Sequence, residues 1–493
     1  MARRSSICTW NARRPSVTAL VTGLAVGVFL PAVAGFAQTP RLVKDIIAGP
    51  GSSSPLDLTA VGSRVFFAPA DDGSGQYRNL WVSDGTEDGT RLEQWITQDP
   101  TTGEGATQLF EAGNILYFRA YDNLNSLDLW KSDPGTGITA PVQDISLTGY
   151  AGQFTFPRCE FRSYLFFVAD DGSSGQEPWY SNGTSASMIE DIRPTGSSAP
   201  WGGVDYHGFL YFTAQTTEHG AELWRSDLTP PTTLEVEDIW PGPTGSSPHY
   251  HTVAGALLFF MASTANEGRE LWTMDDGGVV SLVRDIWPGS EDSYPYALTA
   301  VGDTLFFFAD DGQYGRELWK SNGTEAGTVR VKDIRVGSSS SIRDPGTIPP
   351  QCWAATDQLF FFVADDGTHG EELWVSDGTG PGTQLVRDLF PGTGGNFPPA
   401  LFVTIGDQLY FRGEDPGGIG VWVSDGAEAG TVEVTRDVPG LTYVASLVNA
   451  NGELYFVASQ DTTGQELWML PLAIFRDGFE SGDTSAWSWV TPS

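Results

Sequence analysis

The stretch Leu318–Thr324, LWKSNGT, recurs along the chain with small changes. It reads LWVSDGT at Leu80, LWKSDPG at Leu129, PWYSNGT at Pro178 and LWRSDLT at Leu223. It returns as LWTMDDG at Leu271, LWVSDGT at Leu373 and VWVSDGA at Val421, and the last copy keeps only Leu467-Trp468. The nine tryptophans are Trp81, Trp130, Trp179, Trp224, Trp272, Trp319, Trp374, Trp422 and Trp468, spaced 45 to 55 residues apart. A period in that range means stacked supersecondary units.

Each unit carries four segments, A to D. Segment A is of the type SYPYALTAVG, ending at Gly302, and B is a short apolar run such as LFFFADD from Leu305. Segment C is the Leu-Trp stretch, and D is of the type TVRVKDI, ending at Ile334. The runs are rich in Phe, Val, Tyr and Leu and are bounded by Gly, Asp, Asn and Pro, which is strand and turn chemistry. The B runs are apolar at consecutive positions, so both faces of those strands are buried. Radial repetition of four-stranded sheets supplies a neighbour on each face. The expected fold is all-β, a β-propeller of about nine four-stranded blades. The first recognisable segment is a D strand, LVKDI at Leu42–Ile46, and the last is a C strand, ELWML at Glu466–Leu470. The N-terminal strand is therefore expected to complete the last blade and close the ring. An open solenoid is the rival architecture, but its coils are shorter.

Residues 1–37 read as an export signal. Arg3, Arg4, Arg13 and Arg14 precede an apolar run, Val17–Leu30, that is short for a membrane span, and small residues follow. The Arg13-Arg14 pair hints at twin-arginine export, so the route stays open. Residues 41–470 form the repeat array and 471–493 a tail outside it. The chain has a net charge of −35; removing four Arg and no acid with the signal gives −35 − 4 = −39. Such a surface repels nucleic acid and anionic lipid and attracts cations and basic partners. No other apolar run is long enough to span a membrane, and a monomer is the expected state. Cys159 and Cys352 fall in units three and seven. These lie nearly opposite in a nine-blade ring, so no bridge between them is expected.

The motif ELW-x-S-D/N-G-T with a following Gly-Thr stands here as ELWKSNGTEAGT from Glu317 and ELWVSDGTGPGT from Glu372. With the accompanying RDIWPGS from Arg284 and RDLFPGT from Arg387, it resembles the ELWxxDGT repeat family of bacterial exported proteins. The resemblance covers about residues 41–470. It implies an exported repeat protein of propeller type and offers no catalytic residues to carry over.

Several motifs have a structural and a functional reading. Asp84, Asp377 and Asp425 precede Gly after the tryptophan, yet Asn182 and Asn322 occupy the same place. A two-residue hairpin turn explains that exchange and a carboxylate ligand does not. The aspartate of KDI (Asp45, Asp144, Asp191, Asp238, Asp285, Asp333, Asp388 and Asp437) precedes a turn and is expected to hydrogen-bond its N–H groups. The B–C loops are the best functional candidates. They carry Asp71-Asp72, Asp170-Asp171, Asp310-Asp311 and Asp365-Asp366, on the face where the D–A loops also emerge. Ca²⁺ takes six to eight oxygen ligands, so clustered acidic loops are candidate calcium sites. Trp201, Trp240, Trp287 and Trp353 lie near D–A turns and are candidate ligand-stacking residues, suited to glycans on the same face. His249 and His251 have the spacing of a shared strand face, with no third metal ligand indicated.

No unit bears a distinct reactive constellation: there is no nucleophile elbow, phosphate loop or HExxH. The leading reading is an exported, non-enzymatic binding or surface-interaction module, its partner an extracellular protein or glycan. Two alternatives stay open, a carbohydrate-active lyase or hydrolase using loop-face carboxylates and a purely structural surface protein.

Overall fold

The structure, a computed structural model, describes residues 39–75, 78–97, 105–121, 127–142, 155–344, 351–392 and 397–472. The expected signal at residues 1–37, the tail from 473 onward and Asp144 lie outside them. The described chain forms nine antiparallel sheets of four strands. Blade six shows the pattern, with strands Tyr296–Val301 (A), Thr304–Asp310 (B), Arg316–Ser321 (C) and Val329–Arg330 (D). The A strands of adjacent blades touch at all nine junctions, including the one between blades nine and one. They therefore ring the axis, and the array is a closed nine-blade propeller. Nine exceeds the usual four to eight.

Closure takes the form read from the sequence. Blade nine draws A, B and C from Leu441–Ala450, Glu453–Gln460 and Gly464–Leu470, and its D strand is Arg41–Lys44. Arg41 pairs with Met469 and Leu42 with Trp468.

The consecutive aromatics of the B strands divide between two cores. Phe306 and Phe308 pack towards blade seven, against Phe360 and Phe362. Leu305, Phe307 and Ala309 pack towards blade five, with Phe259 and Val283. One such apolar cluster lies at every junction between blades. Each buried phenylalanine contributes about 1.5–3 kcal/mol. Alternation and continuous apolarity are thus compatible, because each face of the sheet meets another sheet.

The glutamate of ELW does work the sequence reading did not assign. Glu177, Glu222, Glu270, Glu317, Glu372 and Glu466 all have buried side chains. Each turns its carboxylate onto the linker that leaves strand D for the next blade. Glu270 accepts from Ile286 N (3.0 Å), Trp287 N (3.3 Å), Ser293 N (3.2 Å) and Ser293 Oγ (2.6 Å). Glu466 does the same across the closure, accepting from Ile46 N (3.3 Å), Ser53 N (3.0 Å) and Ser53 Oγ (2.5 Å). Blade one uses Asn79, whose Oδ1 accepts from Ile96 N at 3.0 Å. Blade eight has Gly420 there, and a Cβ on it would strike Glu433 Oε1.

Burial raises these carboxyls despite the N–H groups and serine hydroxyls that lower them. Glu222, Glu317, Glu372 and Glu466 are pushed from 4.5 to about 7 and Glu270 to about 8. Ser293 Oγ lies 2.6 Å from Glu270 and 3.3 Å from the Arg269 carbonyl oxygen. The hydroxyl can therefore donate to the carboxylate, or accept from the acid while donating to the carbonyl.

Two outcomes follow. Glu466→Ala strands the N–H groups of Ile46 and Ser53 and should cost on the order of 3 kcal/mol in denaturant unfolding. A proton bound more tightly in the fold than in the unfolded chain stabilises most below the unfolded value of 4.5, and that gain is lost as pH rises through 7 to 8. Asp84, Asp171 and Asp377, lowered by turn hydrogen bonds, act oppositely below 3.8. The melting temperature should therefore peak near about pH 4, and Glu270→Gln should flatten its decline towards pH 8.

Candidate functional site

The turn after the tryptophan is structural, but it is not the two-residue hairpin expected. Seven residues, Asp84–Thr90, separate strands C and D of blade one, and within the Asp-Gly pair only Gly85 has positive φ, at 86°. Asp84 Oδ1 accepts from Thr86 N (2.9 Å) and Thr86 Oγ1 (2.6 Å), and Ser83 Oγ bonds Thr90 Oγ1 at 2.7 Å. Asn322 Oδ1 takes the same bonds from Thr324, which explains the Asp/Asn exchange. A side-chain acceptor competing for local N–H groups replaces the tight turn. Gly85 is also pressed to the previous blade: a Cβ there would lie 2.6 Å from Tyr455 Oη.

The KDI segment staples blades together. Asp45 Oδ2 and Asp285 Oδ2 accept from Gly49 N (3.0 Å) and Gly289 N (3.1 Å), as expected of turn aspartates. The preceding cation reaches the next blade. Arg284 donates to the Thr328 carbonyl (2.7 Å) and sits 5.8 Å from the Trp319 ring. Lys332 and Arg387 repeat this on Thr383 and Thr431. Lys44 repeats it on Thr90 across the closure, at 2.8 Å.

The acid pairs remain in four separate blades. Asp71, Asp170, Asp310 and Asp365 each accept through Oδ1 from the following glycine N–H, at 2.7–2.8 Å. Asp72, Asp171, Asp311 and Asp366 accept from Ser74, Ser173, Gln313 and Thr368 N–H groups. Asp72 Oδ2 also takes Asn79 Nδ2 and Trp81 Nε1, and Asp311 Oδ2 pairs with Arg330. Among the described residues no group of three or more His, Cys, Asp or Glu is placed to hold a metal.

The other candidates are dispersed. Trp201 lies on His249 with ring centroids 5.4 Å apart. Trp240 gives its backbone N–H to Glu222. The Trp287 ring covers Gly312 in the Asp310-Asp311 loop. Trp353 packs edge-on against Tyr296 and Phe308. A bulge between His249 and Thr252, with Tyr250 at φ 62°, breaks the alternation that would put His249 and His251 on one face. His251 is buried, and burial depresses its imidazole to about 3. Cys159 and Cys352 are buried in blades three and seven, and no disulfide joins them.

One region of the loop face is concave. A cleft of about 590 Å³ opens where the linker from blade six to seven, the B–C loop of blade seven and the linker to blade eight meet. Its polar lining includes Arg335, Arg343, Asp365, His369, Glu371 and Glu414. Arg335 Nη1 lies 2.9 Å from Asp365 Oδ2, and Arg343 makes a two-pronged pair with Glu371. His369 Nδ1 lies 2.8 Å from Asp366 Oδ2, a hydrogen bond that holds the imidazole above its ordinary value. Phe390, Phe397, Pro398 and Pro399 form the apolar side. Glu414 Oε2 accepts from Phe397 N (2.9 Å), and Arg412 lies 5.6 Å from the Phe397 ring centre. A small apolar hollow under Trp353 adjoins the cleft through Ile342, Arg343, Glu371 and Pro398.

The cleft thus gathers Asp365 and borders Trp353, and leaves the other sequence candidates elsewhere. Arg335, Arg343, Glu371 and Phe397 were not singled out. Of these only Arg343 had a signal, the insertion SSSSIRDPGTIPPQ, which makes this the longest spacing in the array.

No protein-family model matches the chain, and no curated protein sequence matches it. Solved structures do. Puromycin hydrolase is 12% identical with a TM-score of 0.40, over 74% of this chain and 60% of that one. The propeller domain of the Trilobed protease from Pyrococcus furiosus, described as having an open velcro topology, is 10% identical with a TM-score of 0.37, over 78% and 99%. The tricorn protease is 15% identical with a TM-score of 0.27, over 84% and 39%. This chain thus spans 60% of the hydrolase and 39% of the tricorn protease. At TM-scores below 0.5 the likeness says nothing of activity here. No helix among the described residues is long and apolar enough to cross a membrane.

The turn assignment is testable. Asp377→Asn should change stability by less than about 1 kcal/mol, because an amide oxygen can accept the same bonds. Asp377→Ala, which removes the acceptor, should cost more in the same denaturant titration.

Proposed function

We propose that this chain is an exported, non-enzymatic β-propeller that binds an extracellular glycan or protein in the cleft between blades six and eight. The observation that carries the reading is the cleft itself. It has the size of a ligand site, and its mostly polar lining converges beside an apolar wall. It also lies where the repeat is interrupted.

The chemistry favours binding over turnover. Glycoside hydrolysis by the common two-carboxylate route uses a general-acid carboxyl raised towards neutrality. In the cleft that description fits Glu372, raised to about 7 by burial. Glu372 is the interblade glutamate of blade seven and accepts from Leu389 N (3.1 Å) and Phe390 N (3.3 Å). The same arrangement recurs in blades that have no such cleft, so its raised value belongs to the scaffold. The half-buried acids Asp365 and Glu371 are committed to arginines. The reading does not call on Ca²⁺, because the eight loop aspartates already spend oxygens on turn N–H groups. Export rests on the basic and apolar pattern of residues 1–37.

Binding to immobilised extracellular polysaccharides and matrix proteins should be saturable and resistant to EDTA. Arg343→Ala should weaken it by about tenfold while the melting temperature holds. Release of soluble product from any of these polysaccharides would overturn the non-enzymatic reading.

A further inference from the structure

We infer that the cleft is built for a neutral oligosaccharide. The inference rests on the cleft being the binding site and adds the ligand's chemical class. Three observations carry it.

The first is charge. Arg335 and Arg343 each face a carboxylate, Asp365 and Glu371, with side-chain exposures of 38%, 47%, 28% and 21% in that order. These pairs are open to a ligand yet already neutralised. An anionic ligand would have to displace Glu371 from Arg343 and leave that carboxylate unpaired, inside a protein of strongly negative charge. A cationic ligand that took Asp365 or Glu371 would strand the guanidinium instead. A hydroxyl group breaks neither pair, because it donates once and accepts twice. It can give its proton to a carboxylate oxygen and accept from a guanidinium N–H at the same time. An arginine carries five N–H donors, more than one carboxylate can take. A row of such pairs therefore suits a polyhydroxylated, uncharged ligand.

The second is the aromatic wall. Phe397 is 48% exposed, the one phenylalanine among the large exposed apolar side chains of the described residues. Arg412 lies over the ring at 5.6 Å, and the Phe397 N–H is fixed on Glu414. The ring is held against the cleft with Pro398 and Pro399 beside it. An exposed ring so fixed gives the C–H face of a sugar an apolar platform, while the hydroxyls at the sugar's rim reach the ion pairs.

The third is the small size of the hollow beside the cleft, which makes it a poor anchor for a protein ligand. Protein contacts concentrate their energy in buried apolar anchors. The hollow that adjoins this cleft holds about 20 Å³. That is room for roughly one water molecule. It has no room for a Leu or Trp side chain, whereas the open cleft, at about 590 Å³, exceeds what one sugar ring fills.

The test is calorimetric titration of the purified full-length protein with gluco-, manno- and xylo-oligosaccharides, with oligogalacturonates, and with an acidic and a basic peptide. At least one neutral series should bind. Its affinity should change little up to about 0.5 M salt, where charge pairing is screened. Phe397→Ala and Glu371→Gln should each weaken it by about tenfold with the melting temperature kept. No binding by any neutral series overturns the inference, as does binding confined to uronates or peptides. If those charged ligands lose affinity in Arg343→Ala, the cleft remains the site and only the ligand class is wrong. If a ligand binds and no cleft substitution affects it, the cleft reading fails as well.

Discussion

A buried glutamate at the head of strand C holds the architecture together. In six blades its carboxylate gathers N–H groups from the linker that carries the chain onward. A propeller must turn the backbone at every blade, and each turn exposes donors that no sheet can satisfy. Buried donors without partners are costly. A single carboxylate, with two oxygens and room for four bonds, answers that need with one residue. The last of the six acts between residues more than 400 apart in sequence, Glu466 and Ile46. Ring closure is therefore the same interaction as any other blade junction, made between the two ends of the array.

The rest of the repeat serves the junction on its other side. The tryptophan faces the preceding blade, and that blade's lysine or arginine lies over its ring. Gly85 and its counterparts are small where the turn presses on the neighbour and where φ is positive. The motif encodes contacts between blades more than contacts within them. That explains why a nine-blade ring keeps so many of its positions, and why substitutions such as Asn79 preserve the acceptor.

Function is expected where this regularity yields. The linker into blade seven is longer than the repeat demands, and it carries Arg335 and Arg343 in a chain with 27 Lys and Arg against 62 Asp and Glu. Pairing Arg335 with Asp365 and Arg343 with Glu371 fixes both partners and moderates the local field. The raised carboxyl of Glu372 beneath them belongs to the scaffold.

The period, the strand composition and the placing of a D strand at one end with a C strand at the other determined the fold, the blade count and the mode of closure. They could do so because stacked sheets impose the same local pattern in every unit. The Asp/Asn exchange likewise marked the turn as structural, although Asx bonding over seven residues replaced the tight hairpin. Only the tertiary structure decided what the glutamate does, because its partners belong to the next blade's approach and share no spacing with it in sequence. Only the tertiary structure showed that the four acid pairs stay apart, each drawn onto its own loop's N–H groups. The cleft was visible in sequence as an insertion and nothing more, since Arg343, Glu371 and Phe397 meet through the path of two linkers that no periodicity specifies.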